Sequence, residues 1–292
     1  MKIVIGTGNG TESSSPLDLV GRLQFKDANV DLVYVVERIA SPLLAEGSLA
    51  KDPIERFLQL QEKEGHERLS WAHDRLREYG VEANTNLRAG FIANEILLAA
   101  YERQADLIAI GSRDEGALQK LVIGSVGRKL VNKAHTNLLV ARGPLRSQSP
   151  IDAVFATDHS DYANRCLDCF VALAPKGIRR ITVLTVYPKA LIDGIRAVAD
   201  NFKAPLDQWI TQQLEHENTK VIRKLSPLGY ELESRVLAGA VDEAIDATMK
   251  ASSSQLLVLG AQGHGFVERL AIGSVSFQQV VAGQHSVLVL RV

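Results

Sequence analysis

Cysteine is nearly absent: Cys166 and Cys169 are the only two in 292 residues. That is too few for a disulfide framework. Excess charge is absent as well, because 33 Lys and Arg face 34 Asp and Glu for a net charge of -1. Such a balance supplies no overall drive toward nucleic acid or an anionic membrane surface. No apolar run approaches the roughly 18 residues that suggest a membrane span. Met1-Lys2-Ile3-Val4-Ile5-Gly6 has no apolar core of a signal peptide. The expectation is a cytoplasmic protein in a reducing setting, with no nucleic-acid or membrane partner.

What is present is an ordinary globular composition, 46% hydrophobic and 23% charged. At roughly 150 residues per domain, the length points to two domains. An internal repeat supports that count. DLIAIGSRDEGALQKLVIGSV at 106–126 aligns without a gap on QLLVLGAQGHGFVERLAIGSV at 255–275. Gly80 and Gly229, Gly90 and Gly239, and Ile96 and Ile245 keep the same offset of 149. Near the start the offset slips by one, so that Thr7-Gly8 matches Thr157-Asp158. A repeat of this size means two copies of one fold.

Each copy alternates strands and helices. In the first, Ile3–Thr7, Val30–Val36, Glu82–Arg88, Leu107–Ile110 and Leu138–Ala141 read as strands. Ser15-Pro16 reads as an N-cap and first helical position, and Pro53 to Tyr79 as a long helix. That helix carries Ile54, Phe57, Leu58, Leu69, Ala72, Leu76 and Tyr79 on or near one face. Ala93–Arg103 and Val126–Ala134 are further helices. The strands of the second copy are Val154–Thr157, Ile181–Val186, Glu231–Val236, Leu256–Leu259 and Val287–Leu290. Runs such as LLVLG suit parallel strands buried on both faces, and the alternation implies doubly wound α/β topology. The expected organisation is a first domain over 1–143, a polar, turn-rich linker over 144–150, and a second domain over 151–292. Each domain is a Rossmann-like, open, five-stranded, mostly parallel sheet flanked by helices.

Open α/β sheets bind ligands at the carboxyl ends of their strands. Leu259-Gly260-Ala261-Gln262-Gly263-His264-Gly265 lies at such an end. Glycines there let successive backbone N–H groups approach an anion. Ten residues after Gly263 comes Gly273-Ser274-Val275, opening a helix whose first amides are free for phosphate.

The spacing G-x2-G-x9-G-S in this strand–helix order resembles the universal stress protein family, in its tandem two-domain form. The resemblance covers nearly the whole chain and includes Asp158 after the first strand of the second copy. It implies the adenine-nucleotide α-hydrolase-like fold and an adenine-nucleotide ligand, ATP or alternatively AMP or ADP, with or without Mg. Carried over, Gly260 and Gly263 bind phosphate through their backbones, and Gly273, Ser274 and Val275 complete the clasp. Asp158 holds the adenosine part, Val186 contacts adenine, and Ala156 and Leu259 line the adenine and ribose region. The family also dimerises through its last strand. Leu138–Ala141 and Val287–Leu290, both apolar edge candidates, are thus expected to build a pseudo-dimer within the chain. A further homodimer and a protein partner stay open.

The first copy departs from the motif. Gly8 replaces the acidic residue, and Asp114 stands where the second motif glycine belongs. A carboxylate there repels polyphosphate, so the first site reads as degenerate and the second as intact.

Other signals have plainer accounts. Gly6-Thr7-Gly8-Asn9-Gly10 hints at a dinucleotide fingerprint, but its third glycine comes one residue early. Cys166 and Cys169 share a helix face and are expected to pack there. His66 and His73 fit a solvated face better than a metal site, and Trp71 and Trp209 fit core or interface packing. Lys120 and Arg269 are surface cations with phosphate steering as the rival role. His264 is either a phosphate contact or an exposed loop residue, and Ser274 either a phosphate ligand or a phosphoacceptor.

Three functions follow. The first is a nucleotide-binding stress sensor or regulator. The second is a slow ATP hydrolase or autophosphorylating enzyme of the same fold. The third is a structural assembly protein without ligand. No G-x4-G-K-[ST] loop, SGGxDS loop or HIGH-like motif is present, and no nucleophile–base–orienter set can be assigned.

Overall fold

The computed structural model describes residues 1–8, 14–37, 51–112, 123–143, 150–190, 206–263 and 272–292. Its strands are β1 (Lys2–Thr7), β2 (Asn29–Glu37), β3 (Ala83–Gly90), β4 (Leu107–Gly111) and β5 (Asn137–Ala141). They are followed by β6 (Ile151–Ala156), β7 (Ile178–Tyr187), β8 (Glu231–Ala238), β9 (Leu256–Gly260) and β10 (Ser286–Leu290). The helices of the first half are α1 (Ser14–Leu23), α2 (Lys51–Arg77), α3 (Ile92–Arg103) and α4 (Ser125–Lys133). Those of the second are α5 (Asp161–Leu173), α6 (Leu206–Leu225), α7 (Val241–Ala251) and α8 (Ser274–Ala282). Every expected strand is present, with ends shifted by up to three residues. Helix α1 starts at Ser14, which puts Ser15 and Pro16 inside its first turn instead of at its cap.

All ten strands join one sheet in the order β3-β2-β1-β4-β5-β10-β9-β6-β7-β8. Every neighbouring pair is parallel except β5 and β10. The two expected five-stranded sheets are therefore fused. Their apolar last strands occupy the middle of the sheet and satisfy each other's backbone groups there, so neither is an edge. The edges are β3 and β8, which carry Asn84, Thr85, Asn86 and Arg88, and Glu231, Glu233, Ser234 and Arg235. Polar side chains suit strands that leave one row of backbone groups unpaired.

The two-residue period of a strand divides the core into two layers. Ile3, Ile5, Leu107, Ala109, Leu139, Leu256, Val258 and Leu288 point to one face, under α1, α2, α5 and α6. Val4, Ile108, Ile110, Leu138, Val140, Leu257, Leu259, Val287 and Val289 point to the other, under α3, α4, α7 and α8. Each layer runs through both halves, so the joint is continuous core. Phe155 and Phe170 pack in the first layer with ring centroids 5.6 Å apart.

Further hydrogen bonds tie the halves together. Arg142, just after β5, donates through its guanidinium to the carbonyls of Val280 and Gly283 at the end of α8. Its repeat counterpart Arg291, just after β10, donates to the carbonyl of Val131 at the end of α4. The backbone repeats the exchange: Arg142 N donates to Ser286 Oγ (3.0 Å) and Arg291 N to Asn137 Oδ1 (2.9 Å). Each arginine thus meets the last-turn carbonyls of the opposite half's final helix, where a cation is favourable. Away from the strands, Gly177 N donates to Leu23 O (3.0 Å) at the end of α1.

Several apolar side chains of the long helices do not reach the core. Leu69, Ala72 and Leu76 are buried, whereas Phe57, Leu58 and Leu60 are exposed. Trp71 and Trp209, expected to pack in a core or interface, are 39% and 44% exposed. Trp71 lies between buried Leu69 and Ala72, and Trp209 beside buried Ile210, so both rings are on the outward side of a helix whose other side is packed. Of the expected linker at 144–150, only Pro150 lies within the described residues.

Candidate functional site

The carboxyl ends of β6, β7 and β9 meet on one side of the second half. β6 sits between β7 and β9, with Phe155 opposite Val183 and Val258. The chain leaving β6 turns sharply into α5. His159 takes a left-handed φ of 58°, and Ser160 caps α5 by accepting from Ala163 N (3.1 Å). The Ser160 hydroxyl and amide both donate to Asp158 Oδ1, at 2.7 and 3.0 Å. The carboxylate is therefore fixed in place before any ligand arrives.

The glycine loop after β9 closes against that carboxylate. A Cβ on Gly263 would lie 2.9 Å from Asp158 Oδ2, so only glycine lets the backbone come this close. Gly260 is equally constrained, since a Cβ there would lie 3.1 Å from Cys166 Sγ and 3.3 Å from Tyr162 Cε1. Both side chains belong to α5. Burial pushes the Cys166 thiol and the Tyr162 phenol each up to about 12, so both are neutral apolar support beneath the loop. Cys166 thus packs as its helix-face spacing predicts, and neither cysteine is in a disulfide.

The loop is then tied to the start of α8. Gly273 N donates to Ala261 O (2.6 Å), Ser276 Oγ donates to Gly260 O (2.6 Å), and Ala261 N donates to Leu290 O (2.8 Å). Gly273 is the N-cap of α8 and offers no capping side chain. Among the described residues no N-cap side chain accepts from the first amides of the helix, an arrangement that favours an anion. Ser274 is exposed at this helix start and Val275 half-buried.

An apolar wall lies beside the polar cluster. Ala156, Val186, Leu259, Ile272 and Val275 belong to one layer of the core, together with Leu237 opposite Val186. Leu259 is buried, whereas Ala156, Val186, Ile272 and Val275 keep part of their surface open. The nine residues read from the sequence therefore fall into two groups at one end of the sheet. Asp158, Gly260, Gly263, Gly273 and Ser274 form the polar cradle, and Ala156, Val186, Leu259 and Val275 the apolar wall. His264, Gly265 and Arg269 lie outside the described residues.

Sequence reading missed the residues that hold the cradle. Ser160 had a signal, because a serine before Asp161 and a helical run is an N-cap pattern. Ser276 had none, since nothing in its neighbours points to the carbonyl of Gly260. Also missed is a buried polar chain behind Asp158. His159 Nε2 lies 2.9 Å from Thr185 Oγ1, Thr185 donates to Asn218 Oδ1 (2.7 Å), and Asn218 Nδ2 donates to Ser234 Oγ (3.0 Å).

The first half repeats part of this frame. Ser112 N donates to Ala141 O (2.8 Å), as Ala261 does to Leu290, and Gly124 caps α4 as Gly273 caps α8. Where Asp158 stands in the second half, Gly8 offers no side chain, and a Cβ there would meet nothing within 4 Å. Asp114 and Lys120 lie outside the described residues. Among the described residues, no three His, Cys, Asp or Glu side chains gather as a metal site, and no helix is long and apolar enough to cross a membrane.

Comparison with known proteins gives this architecture a family. The profile of the universal stress protein family matches residues 1–142 and again 152–291. A universal stress protein of Mycobacterium tuberculosis (strain H37Rv) is 25% identical over 308 residues, covering 99% of this chain and 95% of its own. One from Methanocaldococcus jannaschii is 32% identical over 144 residues, covering 49% of this chain and 82% of its own. The crystal structure of a universal stress protein from Archaeoglobus fulgidus superposes with a TM-score of 0.68 at 18% identity, covering 99% of this chain and 98% of that one. Another structure from Archaeoglobus fulgidus, a universal stress protein in complex with dAMP, covers 48% of this chain and 97% of its own at 22% identity and a TM-score of 0.35. With the family profile matching twice along nearly its whole length, this chain belongs to the universal stress protein family.

Proposed function

We propose that this protein binds one adenine nucleotide, ATP or alternatively ADP or AMP, in its second half and acts as a stress-response sensor or regulator through a protein partner. The observation that carries the reading is the closure of the 260–263 loop onto the start of α8, sealed by Gly273 N to Ala261 O at 2.6 Å. That closure gathers the loop amides and the first helix amides around one space suited to phosphate. Asp158, held by Ser160, suits the ribose hydroxyls as a hydrogen-bond acceptor. Ala156, Val186 and Leu259 offer the apolar surface on which adenine would rest. The first half lacks the counterpart of Asp158 and serves as a structural partner in this reading.

Titration with a fluorescent ATP analogue tests the proposal. One site per chain is expected, lost in Gly263→Asp, because the new side chain starts 2.9 Å from Asp158 Oδ2 and adds a second carboxylate to the phosphate space. Two sites per chain, or unchanged binding in that variant, overturns it.

A further inference from the structure

Behind Asp158 the structure carries a buried polar chain that the nucleotide reading does not use. His159 follows Asp158 directly and holds a left-handed φ of 58°, a conformation that a non-glycine residue keeps only when its surroundings fix it. Its amide donates to Thr157 Oγ1 (3.1 Å), and its carbonyl accepts from Asn164 Nδ2 (3.2 Å). Its ring reaches sideways to β7, with Nε2 at 2.9 Å from Thr185 Oγ1.

The direction of that last bond follows from its neighbours. Thr185 gives its one hydroxyl proton to Asn218 Oδ1, so its oxygen accepts, and His159 Nε2 must carry hydrogen. Asn218 is fully buried on α6 and gives its own protons to Ser234 Oγ (3.0 Å) and Val183 O (3.4 Å). The ring is thus tethered to a chain of bonds that spans β7, α6 and β8.

We propose that His159 is a positioning residue for the nucleotide site: its tether to Thr185 holds the left-handed turn that aims the Asp158 carboxylate at Gly263. The inference rests on the nucleotide reading above. A side chain at 159 that loses the tether frees the turn, and Asp158 leaves its place opposite the glycine loop. The effect is on affinity, through Asp158, and not through contact of the ring with ligand.

The tether also links affinity to pH. Among the described residues, the Glu217 and Asp158 carboxylates and the Lys220 ammonium are the charged groups that face the ring, the carboxylates favouring its protonation and the ammonium opposing it. Burial outweighs them and holds His159 below the usual histidine range. A proton on Nδ1 therefore works against the pocketed ring, and affinity falls only as pH drops through the lowered value of the folded chain, below the ordinary 6.5 of histidine.

The test is binding of a fluorescent ATP analogue to the full chain and to three variants. H159N keeps a residue type that accepts the left-handed turn but cannot span to Thr185, and it should bind about tenfold more weakly, as loss of a hydrogen bond predicts. H159Q can still present an N–H toward Thr185 and should stay within about twofold of wild type at pH 7.5, while the fall in affinity at the lowered histidine value is blunted. The difference between the wild-type and H159Q profiles cancels the titration of the phosphate itself. T185V should match H159N, and the double variant H159N/T185V should bind no worse than either single one. Wild-type affinity in H159N, additive losses in the double variant, or parallel pH profiles of wild type and H159Q overturn the inference while leaving the nucleotide site standing. No binding by the wild-type chain overturns both.

Discussion

Leu139 and Leu288 sit opposite each other in the antiparallel β5–β10 pair, and they are the same position of the two repeats, 149 residues apart. The pseudo-twofold axis of the molecule therefore passes between them. Their neighbours obey it: Leu138 faces Val289 and Val140 faces Val287. Both leucines are fully buried in the core layer shared by the halves. Leu139→Ala and Leu288→Ala should each cost about 3 kcal/mol, the usual range for emptying a well-packed leucine site. The two losses should be similar in size and less than additive, because each leucine lines the cavity left by the other. Chemical denaturation of the single and double variants measures both.

Arg142 and Arg291 reach across the same axis to opposite helix ends. Arg142 is buried, and burial brings its guanidinium down to about 10, still fully charged near neutral pH. Arg142→Met keeps the apolar stem and leaves the carbonyls of Val280 and Gly283 without this donor. A loss of about 3 kcal/mol is expected, since each buried unsatisfied carbonyl costs about 1–3 kcal/mol. Thermal melting should show Arg142→Met losing more than Lys129→Met, which alters a half-buried cation on α4 outside this exchange.

Gly177 is the tightest glycine at the joint. A Cβ there would fall 1.7 Å from the backbone oxygen of Arg22, an overlap that no side-chain rotation relieves. Gly177→Ala should cost about 3 kcal/mol, at the upper end for an added methyl group, because α1 must move away from the second half. Gly229→Ala, at a left-handed turn with open space around it, should cost about 1 kcal/mol from backbone strain alone. Comparing the denaturation midpoints of the two variants separates the overlap from the strain.

Stability should also fall in mild acid. His159 and His285 are both held below the ordinary histidine value of 6.5, in each case chiefly by burial. Below pH 6.5 the unfolded chain takes up protons that the folded chain does not, so stability drops as pH falls through this window. It levels off once the pH is below the folded values. Melting temperatures between pH 7.5 and 5 should decline for wild type and flatten in H159Q/H285Q.

Much of the fold was legible because its signals are local. The apolar runs of β4 and β9 announced parallel strands buried on both faces, and the repeat announced two copies. The glycine motif was legible for a similar reason, since Gly260, Gly263 and Gly273 lie within one βα unit. The long helix α2 misled at Phe57 and Leu58, because periodicity records which residues share a face and not which stretch of that face is covered. Thr185 and Asn218 gave no signal at all. Their roles depend on α6 crossing β7 and β8, far along the chain from His159.

The sequence by itself determined the element order, the duplication and the glycine-loop candidate, because hydrophobic period, turn chemistry and residue spacing are written along the chain. Only the tertiary structure decided that the two sheets become one, that the arginines trade places across the axis, and that Asp158 meets Gly263. Those facts depend on which strands become neighbours and in what register, and strand pairing is settled by the burial of both halves together.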